Sequence, residues 1–224
     1  MFTAIAPSYD FLNHLLSMNV DRLWWRRTAR SFTNILQRTN AQVLDLCCGT
    51  ADMALALRRQ SSESAQIFGA DFSHAMLTLG VRKVRSTIKL VEADALCLPV
   101  ANGSFDLVVS AFGFRNLTDY NAGLREICRV LRAQGEVGIL DFGEPEGVLG
   151  KIYQLYFRRV LPVIGTLVSG VRGPYQYLPA SVQRFPHPVQ MLEGMRAAGF
   201  ENVSWTPYTF GIAGLYRGKK IGSR

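Results

Sequence analysis

The amino-acid sequence predicts an α/β protein in which a largely parallel sheet carries helices on both faces. Short apolar segments alternate with helix-forming segments between residues 41 and 144, which is typical of strands joined by crossover helices. The chain has 224 residues, of which 48% are hydrophobic and 19% charged. A chain of this size and composition can bury a core and is not a disordered polymer. We therefore expect a single domain over residues 1–224.

Five strands and three helices are predicted in the central region. Apolar runs closed by a glycine or an acid indicate buried strands, and apolar positions at a spacing of three or four residues indicate helices. Ligands of such sheets bind beyond the carboxyl ends of the strands, so the residues that follow each strand are the candidates for a site. The strands are residues 43–48, 66–70, 88–91, 105–110 and 137–140, and the helices are residues 51–59, 74–84 and 120–132.

The flanking segments have other roles in the expected domain. Residues 1–40 are predicted to be a helical lead-in that closes over the site as a lid. Residues 145–187, rich in proline, glycine and tyrosine, interrupt the alternation and are predicted to form a helical insert at the sheet edge. Residues 188–224 are expected to supply a closing helix over 188–198 and two strands over 203–208 and 211–216. The core between the two flanks is residues 41–144.

Charge and cysteine usage limit the classes of partner. The formal net charge is +8, and the last eight residues contain four basic side chains that could meet nucleic acid or an anionic membrane. The four cysteines form no C-x-x-C pair and the three histidines are far apart, so we expect no metal site. The sequence shows neither a signal peptide nor a membrane-spanning apolar run, and we expect a cytoplasmic protein.

The loop after the first strand argues against a phosphate-bearing cofactor. A dinucleotide site needs three glycines in the pattern G-x-G-x-x-G, and here Cys47, Gly49 and Asp52 stand at those positions. The Asp52 carboxylate, at the start of a helix, would repel a pyrophosphate. This disfavours an NAD-dependent oxidoreductase. A cofactor with a positive centre and no phosphate fits the loop better.

The segment V-L-D-L-C-C-G-T-A-D, residues 43–52, resembles the glycine loop of the seven-stranded methyltransferases that use S-adenosylmethionine. The resemblance implies that cofactor and a class I, Rossmann-like, mostly parallel seven-stranded sheet with a helical insert. It also implies that Gly49 and Thr50 contact the methionine part and that Asp71 accepts hydrogen bonds from the ribose. The family usually has glycine where this chain has Ala51. The implied cofactor site as a whole is Asp45, Gly49, Thr50, Asp71, Phe72, Asp94, Ala95 and Ala111.

Motifs along nearly the whole chain resemble the ubiquinone/menaquinone biosynthesis C-methyltransferases. They are Y-D-F-L-N at 9–13, W-W-R at 24–26, F-G-F-R-N at 112–116, R-E-I-C-R-V-L-R-A-Q-G-E-V-G-I-L-D-F at 125–142 and G-I-A-G-L-Y-R-G at 211–218. The resemblance implies transfer of a methyl group to a ring carbon of a polyprenyl hydroquinone. The implied substrate is demethylmenaquinol, with a ubiquinol precursor as a second one.

This reaction needs a polar group near the ring, and Arg115 with Asn116 is the first candidate. Because a guanidinium stays protonated, Arg115 would stabilise a phenolate or orient a water molecule and would not act as a base. Alternatively, Arg115 forms a structural salt bridge with Asp119. Tyr9 is the second candidate, as part of the lid. Tyr177 and His187 are the candidates for the quinone pocket.

The polyprenyl tail implies a peripheral contact with the inner face of the membrane, for which the insert and the basic C-terminal end are the candidate surfaces. A homodimer also stays open. Three alternative functions remain: a nucleic-acid methyltransferase, an NAD-dependent oxidoreductase and a quinone carrier without catalytic activity. The chain has no N-P-P-[YF] motif, so we expect no nucleic-acid partner.

Overall fold

The computed structural model describes residues 20–143, 145 and 180–222, in which seven strands form one sheet in the order β3-β2-β1-β4-β5-β7-β6. The strands are β1 (Gln42–Leu46), β2 (Gln66–Asp71), β3 (Lys89–Glu92), β4 (Phe105–Ala111), β5 (Leu131–Phe142), β6 (Phe200–Tyr208) and β7 (Ala213–Lys220). The helices are α1 (Val20–Arg30), α2 (Thr33–Leu36), α3 (Asp52–Arg58), α4 (His74–Val84), α5 (Tyr120–Val130) and α6 (Pro188–Ala197).

The sheet has a parallel part and an antiparallel part. Strand β1 pairs in parallel with β2 and β4, and β3 and β5 extend this arrangement outward. Strand β7 runs antiparallel to both β5 and β6. Because the chain winds outward in opposite directions from β1 and β4, the carboxyl ends of these two strands flank a switch point where ligands bind. The predicted seven-stranded, Rossmann-like fold class is confirmed.

The last strands differ in length from the prediction. Strand β5 begins at Leu131, six residues before the predicted start, and its pairing with β4 is interrupted by a bulge between Phe105 and Leu107. The prediction followed the apolar run, whereas residues 132–134 of this strand are exposed. They lie where the register with β4 shifts, and Gln134 has a φ angle of 66°, so the apolar pattern carried no strand signal there.

Each face of the sheet buries its own apolar core. Along β1, Val43 points into the core beneath α1, α2 and α3, and Leu44 and Leu46 point into the core beneath α5 and α6, as the alternation of a strand requires. All three side chains are at most 2% exposed. The position of the loop after β1 is therefore fixed by packing on both sides. Within the described ranges no helix is long and apolar enough to cross a bilayer.

Candidate active site

A cavity of about 400 Å³ opens at the carboxyl edge of the sheet, between the loops that follow β1, β2, β3 and β4. This is the edge where the sequence predicted a site. The described residues that line it are Trp25, Asp45, Cys47, Cys48, Gly49, Thr50, Asp52, Met53, Ala70, Asp71, Phe72, Met76, Ala93, Asp94, Ala95, Leu96, Ala111, Phe112, Gly113, Asn116, Leu117 and Thr118.

The loop after β1 turns sharply by means of three left-handed residues. Cys47, Gly49 and Ala51 have φ angles of 57°, 53° and 68°. Only glycine adopts this conformation without cost, so Cys47 and Ala51 are held in place by their surroundings. Ala51 is fully buried, and its N–H donates to the Cys48 carbonyl at 2.8 Å. The turn leads directly into α3 and presents the backbone of Gly49 to the cavity.

Asp71, at the end of β2, is fastened to this loop. Its Oδ2 accepts a hydrogen bond from the Gly49 N–H at 2.8 Å, and its Oδ1 accepts one from the Ser73 N–H at 2.9 Å. Burial raises the pKa of Asp71, and the two backbone amides offset part of this effect. Each carboxylate oxygen has a second lone pair, so the side chain can still accept two hydrogen bonds from a ligand in the cavity.

Asp45 is a buried acid without a hydrogen-bond partner. Its side chain lies in the cavity wall, and neither carboxylate oxygen has a hydrogen-bond partner of good geometry within the described structure. Burial raises the pKa of Asp45 well above its ordinary range, the backbone amide of Ala54 opposes this in part, and the nearby carboxylates of Asp71 and Asp52 add to the rise. A cationic donor placed in the cavity would satisfy this group.

Lys83 of α4 reaches across to the start of α3. Its Nζ lies 2.9 Å from Thr50 Oγ1 and 3.0 Å from Asp52 Oδ2, and the Thr50 hydroxyl also donates to Asp52 at 3.1 Å. The sequence analysis did not single out Lys83. An acid at the first position of a helix is a weak signal for a cation nearby, but nothing local indicates which cation.

The charges of the cavity select the kind of cofactor that it can hold. Four aspartates line it, at positions 45, 52, 71 and 94; Lys83 pairs with Asp52, and none of the described lining residues is basic. The remaining carboxylates repel phosphates and attract cations. S-adenosylmethionine carries a sulfonium and an ammonium against a single carboxylate, so it is positive overall, and it has hydroxyl donors for Asp71. The donor and acceptor set of the cavity therefore fits this cofactor and does not fit a dinucleotide.

The loop after β4 forms the opposite side of the cavity. Phe112 has a φ angle of 58° and packs against Phe142, with 4.6 Å between ring centroids, and against Trp24, at 5.8 Å. Gly113 lies so close to the β1 loop that a Cβ built on it would stand 2.4 Å from the Cys47 Cβ. The backbone of the β4 loop at Gly113 therefore packs directly against the Cys47 side chain of the β1 loop. Asn116, further along the β4 loop, also lines the cavity.

Arg115 is buried beside the cavity and is not among its lining residues. Its Nη1 lies 3.0 Å from Asp141 Oδ1, and its backbone N–H donates to Asp141 Oδ2 at 3.0 Å. The guanidinium also donates to the Phe112 carbonyl and lies over the Phe142 ring. The alternative salt bridge to Asp119 is not formed, because Asp119 caps α5 by accepting from the Ala122 N–H. Asn116 therefore lines the cavity, whereas the side chain of its neighbour Arg115 is buried and does not.

The other predicted site residues fall into three groups. Phe72, Asp94, Ala95 and Ala111 line the same cavity as Gly49. His187 is exposed at the start of α6, where its backbone N–H donates to Gln190 Oε1 at 3.3 Å, and it is not on the cavity wall. Tyr9 and Tyr177, like most of the insert, lie outside the described residues.

Two aromatic residues on the wall were not predicted. Trp25 belongs to α1 and is distant in sequence from the other lining residues, and Phe112 follows β4. Both lie in segments for which the family resemblance had been noted, and that was the available signal. Neither position could be assigned to the cavity from local periodicity.

Known proteins resemble the chain over almost its entire length. The model of the ubiE/COQ5 methyltransferase family matches residues 1–220. A demethylmenaquinone methyltransferase of Thermus thermophilus is 44% identical over 98% of this chain and 100% of its own. A ubiquinone/menaquinone biosynthesis C-methyltransferase of Geobacter sulfurreducens is 43% identical, covering 98% and 87%.

Solved structures share the fold at low sequence identity. The [4+2]-cyclase SpnF has a TM-score of 0.67 at 19% identity, over 89% of this chain and 82% of its own. A SAM-dependent methyltransferase of Aquifex aeolicus has a TM-score of 0.63 at 14% identity, covering 87% and 89%. The predicted family and cofactor class are thereby confirmed. With its carboxylate-lined cavity and a family match from residue 1 to residue 220, the chain belongs to the ubiE/COQ5 methyltransferase family.

Proposed function

We propose that this S-adenosylmethionine-dependent methyltransferase methylates a ring carbon of a polyprenyl hydroquinone, with demethylmenaquinol as the substrate. The Thermus thermophilus relative, a demethylmenaquinone methyltransferase whose whole length the match covers, supports this substrate. The Geobacter sulfurreducens relative carries a name that includes ubiquinone, which makes a ubiquinol precursor the second candidate. The observation that carries the proposal is the acidic cavity between the β1 and β4 loops.

Each part of the cofactor has a proposed place in this cavity. The methionine part lies against Gly49 and Thr50, with its ammonium near the unpartnered Asp45 carboxylate. The ribose hydroxyls donate to Asp71, and the adenine lies against Asp94 and Ala95. The fixed Asp71 geometry supports this arrangement, because both of its oxygens are already oriented by backbone amides. A carboxylate oriented in this way need not be reorganised when the ligand binds.

The proposed chemistry follows from the hydroquinone as a carbon nucleophile. A ring hydroxyl would lose its proton, and the ring carbon would take the methyl group as the carbon–sulfur bond breaks with its electrons going to sulfur. The hydrogen on that carbon would then leave as a proton while the oxygen regains one, which restores the aromatic ring. Holding the two reactants in line supplies much of the rate, and Phe112 and Trp25 offer apolar surface for the ring. Asn116 is the polar side chain that we place near the ring hydroxyl. Sulfonium and phenolate neutralise each other, which a dry cavity favours.

We propose a positioning role for Arg115 in place of direct contact with the ring. Its guanidinium is engaged by Asp141 and by the Phe112 carbonyl, so it holds the β4 loop in shape. The same buried pairing leaves it poorly suited to move a proton. We also propose that the protein meets the membrane peripherally, since a polyprenyl substrate resides there.

The decisive experiment is an assay with methyl-labelled S-adenosylmethionine and demethylated menaquinol and ubiquinol analogues. We expect label in the lipid-soluble product, and the preferred ring identifies the substrate. Asn116→Ala should lower kcat while leaving cofactor affinity within a few-fold. Cofactor binding without transfer to any quinol would contradict the proposed function and favour a carrier.

A further inference from the structure

Two basic residues near the C-terminal end, Arg217 and Lys220, are engaged within the fold. Arg217 Nη2 lies 2.8 Å from Glu136 Oε2, and its guanidinium lies over the Phe32 ring at 4.6 Å. Lys220 Nζ donates to the Leu131 carbonyl at 2.7 Å. These two of the cations that the sequence offered for a membrane contact therefore stabilise the antiparallel part of the sheet. Exposed cations that could meet an anionic partner are found in larger number elsewhere in the described structure.

Helix α1 supplies such cations in a row. Arg22, Arg26 and Arg30 follow each other at intervals of four residues, which places them on one face of the helix. All three are exposed, and none forms an ion pair with another described residue. The single acid of α1, Asp21, is buried. The face is therefore uniformly positive, with no acidic side chain of the helix to balance it.

An apolar side chain projects into solvent next to this helix. Phe210 is 79% exposed in the turn between β6 and β7, where Thr209 and Phe210 both have positive φ angles. The turn is joined to α1 by a hydrogen bond from Trp24 Nε1 to Thr209 Oγ1, 2.8 Å long. On α1 itself, Leu23 is 60% exposed. Two consecutive left-handed residues are costly, and in the isolated protein Phe210 gains little burial in return.

We propose that the arginine face, defined as Arg22, Leu23, Arg26, Arg30 and Phe210, docks on an anionic lipid bilayer. Guanidinium groups attract the headgroups, and exposed apolar side chains enter the interface between headgroups and acyl chains. The arginine side chains supply positive charge for the anionic headgroups. The two exposed apolar side chains, Leu23 and Phe210, can enter the boundary between headgroups and acyl chains.

The position of the arginine face also suits the proposed substrate. Trp25 lies between Arg22 and Arg26 in the sequence and lines the cavity, so one helix borders both the cavity and the docking surface. A membrane-embedded quinol would then have a short path to the cofactor. This last step rests on the proposed function, whereas the docking itself does not.

Vesicle flotation tests the docking directly. The full chain should float with phosphatidylcholine vesicles that contain phosphatidylglycerol and should not float with phosphatidylcholine alone. The triple variant Arg22→Gln, Arg26→Gln, Arg30→Gln should reduce partitioning roughly 100-fold, about fivefold for each charge. Phe210→Asn, which tolerates the left-handed conformation, should reduce it about tenfold. The matched control removes three exposed charges elsewhere, at Arg59, Arg82 and Arg125, and should change partitioning less than threefold.

Other outcomes would overturn the proposal. Equal losses in the triple variant and its control would mean that net charge alone attracts the protein. Salt-dependent binding to RNA, lost in the triple variant without any binding to vesicles, would assign the face to nucleic acid. Activity toward a short-tailed, water-soluble quinol should be unchanged in the triple variant, while the KM for a long-tailed quinol in vesicles rises. If no variant methylates any quinol but flotation behaves as expected, the proposed function fails and the docking surface stands.

Discussion

The two loops on either side of the cavity are held in shape by different forces. The β1 loop is shaped by its own backbone, through left-handed residues at Cys47, Gly49 and Ala51. The β4 loop is shaped by a buried ion pair that joins Arg115 to Asp141, 26 residues later on β5. The first bends through residues next to one another in sequence and is anchored by Asp71, whereas the second depends on an ion pair buried between paired strands. Mutations should therefore affect the two loops differently.

The largest expected effect comes from breaking the ion pair of the β4 loop. Arg115→Met leaves the Asp141 carboxylate buried and unpaired, and we expect the free energy of unfolding to fall by about 3–5 kcal/mol. The double variant Arg115→Met, Asp141→Asn removes the buried charge and should recover at least half of that loss. Denaturant unfolding measures both. Loss of methyl transfer with unchanged stability in Arg115→Met would instead make the guanidinium a catalytic group.

The next effect concerns the anchor of the β1 loop. Asp71→Asn removes the charge and one acceptor oxygen from a group that already holds Gly49 and Ser73. We expect the Kd for S-adenosylmethionine to rise about 100-fold, as lost hydrogen bonds to a charged acceptor are worth about 1.5–3 kcal/mol each. Calorimetry measures the change. Asp106→Asn, at the opposite edge of the sheet, is the control and should leave the Kd within about twofold; an equal loss in both would refute the assignment.

The contact between the two loops can be tested at Gly113. In Gly113→Ala the new Cβ would stand 2.4 Å from the Cys47 Cβ, so one loop must move. We expect a loss of about 1–3 kcal/mol in the free energy of unfolding, with weaker cofactor binding. In the control Gly194→Ala, on α6, the nearest atoms are side-chain atoms at 3.2 and 3.4 Å. Similar losses in both variants would mean that the loops are not tightly coupled.

Asp45 makes the stability of the protein depend on pH. A carboxyl group whose pKa is raised in the folded state favours folding when protonated, so its contribution is lost as the pH rises from about 4 toward neutrality. Asp45→Asn should reduce that slope, with Asp71 and Asp141 maintaining part of it, and should raise the neutral-pH free energy of unfolding by on the order of 1 kcal/mol. Unfolding curves across this range measure it. An unchanged slope would show that Asp45 is not the titrating group.

The smallest effect is expected at Ala51. Ala51→Gly relieves a left-handed alanine, at φ 68°, but loses a buried methyl group and makes the unfolded chain more flexible. These terms oppose each other, so we expect stability to change by less than about 1 kcal/mol and cofactor affinity by less than about threefold. Thermal unfolding and calorimetry provide the measurements. A gain in affinity of tenfold or more would mean that Ala51 narrows the cofactor loop.

The sequence was most informative where structure depends on neighbouring residues. Gly49 and Asp71 could be placed beside the cavity because each lies at the carboxyl end of an apolar strand, and the strand order brings these ends to one edge. The Arg115–Asp141 pair was missed because Asp119, four residues away, was an equally plausible partner on local grounds. The partner of a buried charge is set by strand pairing between β4 and β5, which side-chain periodicity does not encode.

The exposed residues were hardest to interpret from sequence. Basic side chains near the C-terminus were as conspicuous as those of α1, yet Arg217 and Lys220 contact neighbouring strands. Whether a basic side chain is available to an external partner depends on the residues that face it on the neighbouring strand. His187 shows the same limit, since a histidine between two prolines was assigned to a pocket and lies at an exposed helix start.

A cavity lined by carboxylates interacts differently with the cofactor before and after methyl transfer. In the proposed arrangement, the sulfur is a neutral thioether once the methyl group has left, so the nucleoside would keep its ribose contacts but lose one favourable charge interaction with the wall. We therefore expect the spent form to be held less tightly than the incoming one. The acidic lining proposed to recruit the cofactor would then also favour its exchange after each turnover.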